Sequence, residues 1–250
     1  MSMPISVILL TKNSGATLHP CLDSLRAFAE VVALDNGSTD NTLAILAEYD
    51  NVKIYQHPFI GFGALRKLTT SHATHDWILG VDSDEVVSRE LCQEISNLAL
   101  DQRTVYALPR LNHYQEQPLR GWGGRPDRVL RLFCRQTTSY QDEQVHESVA
   151  IPQGVAIGQL KSWLLHYPFK SPTDIIDKMQ RYSSLYAVQH QHTGKTATPA
   201  KAFSRLFTTF LTDYLLHGYI RDGYPGLLLS VGNAGGAFFK YCKLYEINRP

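Results

Sequence analysis

The sequence carries no bulk charge that would announce a partner. Across 250 residues, 24 Lys and Arg stand against 23 Asp and Glu, a formal net charge of +1. That balance argues against a general nucleic-acid binder, so any electrostatic specialisation must be local. Cysteine is sparse: Cys21, Cys92, Cys134 and Cys242 are far apart and form no CxxC pair. Neither a zinc knuckle nor a disulfide framework is expected, and a reducing cytoplasm fits. No stretch approaches the roughly 20 apolar residues a membrane span needs. The opening MSMPISVILLTKN lacks the basic segment and long apolar centre of a secretory signal, which adds to the cytoplasmic expectation. Repeats and low-complexity segments are absent as well. What remains is a chain with 44% hydrophobic residues, enough to bury a sizeable core.

Apolar runs of strand length alternate with helical spacing through the first third. Residues 5–10 (ISVILL), 31–34 (VVAL), 52–55 (VKIY) and 77–81 (WILGV) read as strands. Between them, 17–29, 41–49 and 62–72 read as helices. This rhythm predicts an α/β fold built on a mostly parallel, Rossmann-like sheet flanked by helices. The short unbroken runs suit strands buried on both faces. After residue 100 the rhythm changes, and 104–111, 128–134 and 145–151 read as strands without intervening helices. Residues 173–192, 199–221 and 225–245 read as helices. The expected division is a catalytic domain over 1–170 and a helical C-terminal extension over 171–250.

Ligands of parallel sheets gather at the carboxyl ends of the strands. Three polar clusters fall there: Thr11-Lys12-Asn13, Asp35-Asn36-Gly37-Ser38 and Asp82-Ser83-Asp84. In GVDSDEVVS (80–88), three carboxylates follow a buried run almost at once. They repel one another, and a divalent cation would neutralise them: Mg²⁺ or Mn²⁺ bridges carboxylates to phosphate oxygens. A solvated turn explains Asp-x-Asp about as well when it is taken alone, and Glu85 reads as part of the following turn. Ser38 to Thr42 also read simply as a helix start, whereas Asp35 at the sheet edge can accept from a base or ribose.

Taken together, ISVILLTKN, VVALDNGSTDNT and WILGVDSDE resemble the three leading motifs of inverting, family 2 nucleotide-sugar glycosyltransferases of the GT-A fold. The resemblance covers about residues 4–170 in the right motif order. It implies Thr11 and Asn13 near the nucleotide, Asp35 at the uracil or ribose, and Asp82, Ser83 and Asp84 at the metal–diphosphate. Arg66 and Lys67 precede the fourth strand, where the family often has a basic residue followed by Asn. Lys67 departs from that pattern but stays a candidate donor contact.

RPDRVLRLFCR (125–135), DEQVHESV (142–149), LLHYPF (164–169) and HGYIRDGYPGLLLS (217–230) extend the match, resembling the branch of bacterial lipopolysaccharide core β-1,4-glucosyltransferases. The resemblance implies a UDP-sugar donor, a lipopolysaccharide core saccharide acceptor and an acceptor-side Val-His-Glu element. An inverting displacement needs one carboxylate to deprotonate the acceptor hydroxyl. Glu147 leads as that base, with Asp142 and Glu143 as competitors. His166 reads as a third metal ligand beside Asp82 and Asp84, or equally as a satisfied core histidine. Six arginines run through Arg110, Arg120, Arg125, Arg128, Arg131 and Arg135. Two or three of them, Arg128 and Arg131 foremost, are expected at the donor diphosphate or an anionic acceptor, because guanidinium matches phosphate oxygens bidentately. Trp122, flanked by glycines, reads as a sugar-stacking or packing residue.

In the helical tail, Phe203, Leu206, Phe207, Phe210 and Leu211 are interleaved with Lys201 and Arg205. Such a surface suits peripheral contact with the anionic cytoplasmic face of a bacterial inner membrane. Packing within the chain or against a twin subunit explains most of the apolar positions equally well. Two rivals to a transferase stand. An Mg²⁺-dependent phosphohydrolase would use the Asp-x-Asp pair but leaves DNGSTDNT unexplained. A nucleotide-sugar-binding protein without turnover would bind donor and transfer nothing.

Overall fold

The computed structural model describes residues 2–121, 127–141, 149–191, 193, 195 and 197–249. The chain divides into two compact units, one of residues 1–111 and 127–166, the other of 112–126 and 167–250.

The first unit begins with β1 (Met3–Thr11), α1 (Leu18–Ser24), β2 (Phe28–Asp35), α2 (Thr42–Leu46), β3 (Val52–Gln56), α3 (Phe62–Ser71) and β4 (Trp77–Asp82). Along the chain then come β5 (Glu85–Val87), α4 (Arg89–Ser96), β6 (Thr104–Tyr114), β7 (Gln117–Pro118), β8 (Asp127–Cys134), β9 (Ala156–Gln159) and β10 (Leu164–Phe169); β7, with residues 112–114 of β6 and 167–169 of β10, belongs to the second unit. The sheet order is β3-β2-β1-β4-β8-β6-β10-β5. Strands β3, β2, β1 and β4 are parallel, and β8 joins antiparallel to β4. The α/β expectation is met.

Alternation along β1 explains why the sheet is buried on both sides. Ile5, Val7 and Leu9 pack with Leu18 and Leu22 of α1, Ile45 and Leu46 of α2, and Leu91 of α4. Ile8 points the other way, into a cluster with Val32, Ile78, Phe133 and Tyr140. Successive side chains on a strand face opposite layers, so each layer receives every second residue. Gly80 sits under Tyr140, whose hydroxyl occupies the space a Cβ at residue 80 would need.

The helices at 17–29 and 41–49 are shorter than their spacing suggests. Phe28 is already the first residue of β2, paired with Met3, because the chain turns through a hydrogen bond from Phe28 N to Leu25 O (3.1 Å). The expected strand at 145–151 falls largely outside the described residues; Val149 forms an isolated bridge with Tyr140.

The second unit holds α5 (Pro172–His190), α6 (Pro199–Leu211) and α7 (Gly223–Ile247). Ser171 and Asp174 cap the start of α5 reciprocally, with Pro172 in its first turn. The single helix expected over 199–221 is instead α6, a π-helical turn over 212–216 and a 3₁₀ turn over 219–222. Gly218, at φ 79°, interrupts it. Tyr114, Leu119, Phe169, Ile175, Tyr219 and Leu229 form the core of this unit. Gly232 lets Ile175 of α5 press directly against the α7 backbone.

Candidate active site

Adjacent strands deliver the polar clusters to one edge. Register pairs Thr11 with Asp35 and Leu10 with Asp82, so the ends of β2, β1 and β4 lie side by side. Hydrogen bonds then lace the loops together. Asn13, at φ 50°, donates its N–H to Ser38 Oγ (2.8 Å), and its Oδ1 accepts from Thr39 N (2.8 Å). Ser14 N donates to Thr42 Oγ1 (2.8 Å), while Ser14 Oγ meets Ser83 Oγ at 2.8 Å. Ser14 is thus the hinge between all three loops.

Asp35 is buried and holds its own turn. One carboxylate oxygen accepts from Gly37 N (2.9 Å) and Ser38 N (2.8 Å); the other takes Ser38 Oγ and Thr11 Oγ1 (3.3 Å). A ligand reaching Asp35 would share or displace one of the two hydroxyls.

Beside this frame runs a chain of alternating charges. Arg66 of α3 pairs with Asp82 Oδ1, and Arg131 of β8 pairs with Asp82 Oδ2. Arg131 also reaches Glu85 Oε1 (3.3 Å), as does Arg110 of β6 (3.3 Å), and Arg110 continues to Asp127 (2.6 Å). Glu85, fully buried, also accepts from Asp82 N (2.9 Å). Desolvation would raise the Asp82 carboxyl, but Arg131 and Arg66, with His166, outweigh it and hold it well below the usual carboxylate range. Burial, reinforced by Asp82, raises Glu85 against the pull of Arg131, His166 and Arg110.

Asp84 lies differently. About a third of its side chain is exposed (34%), and His166 Nε2 stands 3.4 Å from its Oδ2. His166 arrives through the β10–β5 pairing, which sets it opposite Glu85. Of the three expected metal ligands, Asp84 and His166 therefore meet, while both oxygens of Asp82 rest on arginines. No group of three His, Cys, Asp or Glu residues suited to a metal occurs among the described residues. Mg²⁺ commonly uses only one or two protein carboxylates and completes its shell with water and substrate phosphates. The Asp84–His166 pair fits a cation of that kind, completed by a diphosphate.

The remaining expected residues are dispersed. Lys67 is half-buried on α3, but its neighbour Arg66 is the one that reaches Asp82. Arg128 is exposed and donates to Leu160 O (3.0 Å). Arg135 donates to Ala73 O (2.6 Å). Asp142, Glu143, His146 and Glu147, with Trp122 and Arg125, lie outside the described residues. No local pattern in the sequence singles out Ser14 or Tyr140, and Glu85 reads there as part of a turn. Helical spacing carried the signal for Arg66, which shares the buried face of α3 with Leu65, Thr69 and Thr70.

Residues 6–164 match the family model described as Glycosyl transferase family 2. The lipopolysaccharide core biosynthesis glycosyltransferase LpsC of Rhizobium meliloti is 27% identical, over 98% of this chain and 93% of that protein. An uncharacterized glycosyltransferase of Rickettsia typhi is 26% identical, over 98% of this chain and 87% of its own. Among solved structures, a Pyrobaculum calidifontis mannosyltransferase in complex with GDP-Man and Mn²⁺ superposes with a TM-score of 0.51 at 14% identity, covering 94% of this chain and 74% of that one. The likeness is one of fold, and the fold is GT-A.

Proposed function

The chain belongs to glycosyl transferase family 2, and from that premise we propose a metal-dependent inverting hexosyltransferase that moves glucose from UDP-glucose to an inner-core heptose of lipopolysaccharide. The observation that carries the reading is the joining of three strand-end loops through Asn13 and Ser14, the third of them bearing the Asp84–His166 pair beside an Asp82 already neutralised by two arginines. The donor and acceptor classes draw on the motif resemblance and on the core biosynthesis relative.

In this reading Thr11, Asn13 and Asp35 receive the uridine, and Asp84 and His166 hold Mg²⁺ or Mn²⁺. That cation would stabilise the charge of the departing diphosphate. Ser83 and Arg131 face the same leaving group, with Arg128 and Lys67 as outer cations. Asp82 keeps Arg66 and Arg131 in place and contributes little net charge of its own. Glu147, or failing it Asp142 or Glu143, takes the proton of the acceptor hydroxyl in a single in-line displacement. Glu147→Gln should still bind UDP-glucose and fail to transfer it; normal transfer would move the base to one of the other two. A protein that only binds nucleotide sugar would be indifferent to this change.

We assign donor binding and catalysis to residues 1–170, and acceptor, membrane and subunit contacts to 171–250. Phe203, Phe207 and Leu211 recur every fourth residue along α6 and are 57%, 52% and 51% exposed, with Lys201 and Arg205 interleaved. Residues 167–250 contain 10 Lys and Arg against 5 Asp and Glu, a local excess of +5 in a chain of +1. An apolar stripe in a basic setting suits a peripheral hold on anionic lipid at the cytoplasmic face of the inner membrane. A second copy of the chain is the other partner this stripe would fit. Among the described residues no helix is long and apolar enough to cross a membrane.

A further inference from the structure

The second unit contains a cleft of about 670 Å³ lined by Tyr114, Gln115, Glu116, Gln117, Tyr224 and Pro225. Its size falls within the roughly 300–1,000 Å³ of small-molecule sites. Four of these residues form the tight turn between β6 and β7, where Tyr114 pairs with Gln117. The other two open α7. None of the six belongs to the strand-edge site.

Two features mark the cleft as built. Gln115 adopts φ 53°, a region that non-glycine residues seldom enter. It is held there by its N–H to Phe169 O (2.8 Å) and its Nε2 to Lys170 O (3.0 Å). That φ is what the first central residue of a two-residue hairpin takes, and the two bonds fix the place of its side chain at the cleft. The two walls are also tied together. Gln117 Nε2 donates to Asp222 O (3.0 Å), and the buried Asp222 carboxylate accepts from Arg120 N (2.9 Å) and Gly121 N (3.0 Å).

The lining has one chemical character. Tyr224 is 63% exposed although it stands at the start of a helix with a core to fill, so its ring is available to a ligand. Gln115 and Gln117 each spend an amide N–H on a backbone carbonyl, which favours their oxygens, with the Glu116 carboxylate, as acceptors. Acceptors beside an aromatic ring match a molecule with hydroxyl donors on its edge and C–H groups on its face. Among the described residues no lining residue is cationic, and Glu116 repels anions.

We propose that this cleft is a second saccharide-binding site, selective for neutral pyranose sugars over phosphorylated ones. Such a site would retain a sugar unit independently of the transfer chemistry, and its existence does not rest on the donor or acceptor named above.

Saturation-transfer NMR on the full chain, without nucleotide, tests it. The probes are methyl β-D-glucopyranoside, methyl α-D-mannopyranoside and lactose, with glucose 6-phosphate as the anionic comparison. At least one neutral sugar should receive saturation at its ring protons in the wild type and equally in Asp84→Ala. Tyr224→Ala should weaken that sugar's binding about tenfold, and Tyr224→Phe should retain it. Gln115→Gly, which accepts the same φ without strain, should also weaken it. The proposal is overturned if no neutral sugar binds, if Tyr224→Ala binds as the wild type does, if the signal disappears in Asp84→Ala, or if glucose 6-phosphate binds as well as the neutral sugars. Tyr224 is mostly exposed, so its replacement leaves the fold intact and each result readable.

Discussion

Arg131 of β8 and Asp82 at the end of β4 form an ion pair in which the arginine is buried, and Arg66 closes on the opposite oxygen of the same carboxylate. Asp82 and Asp84 are thereby separated in role although only one residue stands between them. Removing Asp82 takes from buried Arg66 its carboxylate partner and leaves buried Arg131 with Glu85, a loss on the order of 3–5 kcal/mol. Among the described residues Asp84 pairs with His166, and its side chain is a third exposed. We expect Asp82→Ala to lower the unfolding midpoint steeply and abolish transfer. Asp84→Ala should abolish transfer with stability within about 0.5 kcal/mol of wild type. Urea denaturation beside a UDP-release assay checks the pair; equal destabilisation of both variants would contradict the assignment.

His166 should matter through the cation. His166→Ala is expected to raise the Mn²⁺ or Mg²⁺ concentration for half-maximal transfer about tenfold. A metal titration of activity reads this directly. An unchanged metal dependence would return His166 to the role of a packed strand residue.

Much of this arrangement was legible in the sequence, and the failures are instructive. The period of the apolar runs exposed β1 to β4 and placed Thr11, Asp35 and Asp82 at one edge, because burial on both faces of a parallel sheet leaves a continuous apolar signature. Glu85 reads in the sequence as a turn residue because its partners, Arg110 and Arg131, lie 25 and 46 positions away. No local pattern announces a buried ion network assembled by strand pairing. The same reason hid β5, three residues long, and its pairing with β10. Arg66 and Lys67 are adjacent and both cationic; only the helical phase of α3 distinguishes the inward one. The helix boundaries at 199–221 failed at Gly218, where the left-handed backbone resets the chain direction.

Glu30 of β2 gives a pH prediction away from the site. It accepts from Ser6 Oγ (2.5 Å), Thr74 N (2.5 Å), Thr74 Oγ1 (2.7 Å) and Lys53 Nζ (2.6 Å). Burial opposes its ionisation, but Lys53, Ser6 and Thr74 outweigh that and lower the carboxyl to about 2. A depressed folded-state value means the stabilisation is complete above the unfolded value near 4.5 and is lost as pH falls towards about 2. Lys53 is half exposed, so solvent screens its share, and the whole contribution is about 2 kcal/mol. Glu30→Gln should be destabilised by that amount near neutrality, and the gap should narrow below about pH 4. A gap independent of pH would contradict the ionised network.

The α6 stripe can be tested without touching the fold. Phe203→Ser with Phe207→Ser removes two side chains that are more than half exposed, so the unfolding midpoint should hardly move. Co-sedimentation with vesicles rich in phosphatidylglycerol should fall at least about tenfold. Equal sedimentation of variant and wild type would exclude α6 as the membrane contact. Loss of a dimer in the variant, seen by light scattering, would assign the stripe to a second copy.

Transfer from a UDP-sugar leaves UDP behind, so UDP release reads the reaction itself. The wild-type chain would be given a panel of UDP-sugars, with and without Mg²⁺ or Mn²⁺, with and without purified lipopolysaccharide core oligosaccharide. Metal-dependent UDP release from UDP-glucose, rising when the oligosaccharide is added, is the expected result. Neither binding nor UDP release with any nucleotide sugar, with the metal and acceptor present, would contradict it.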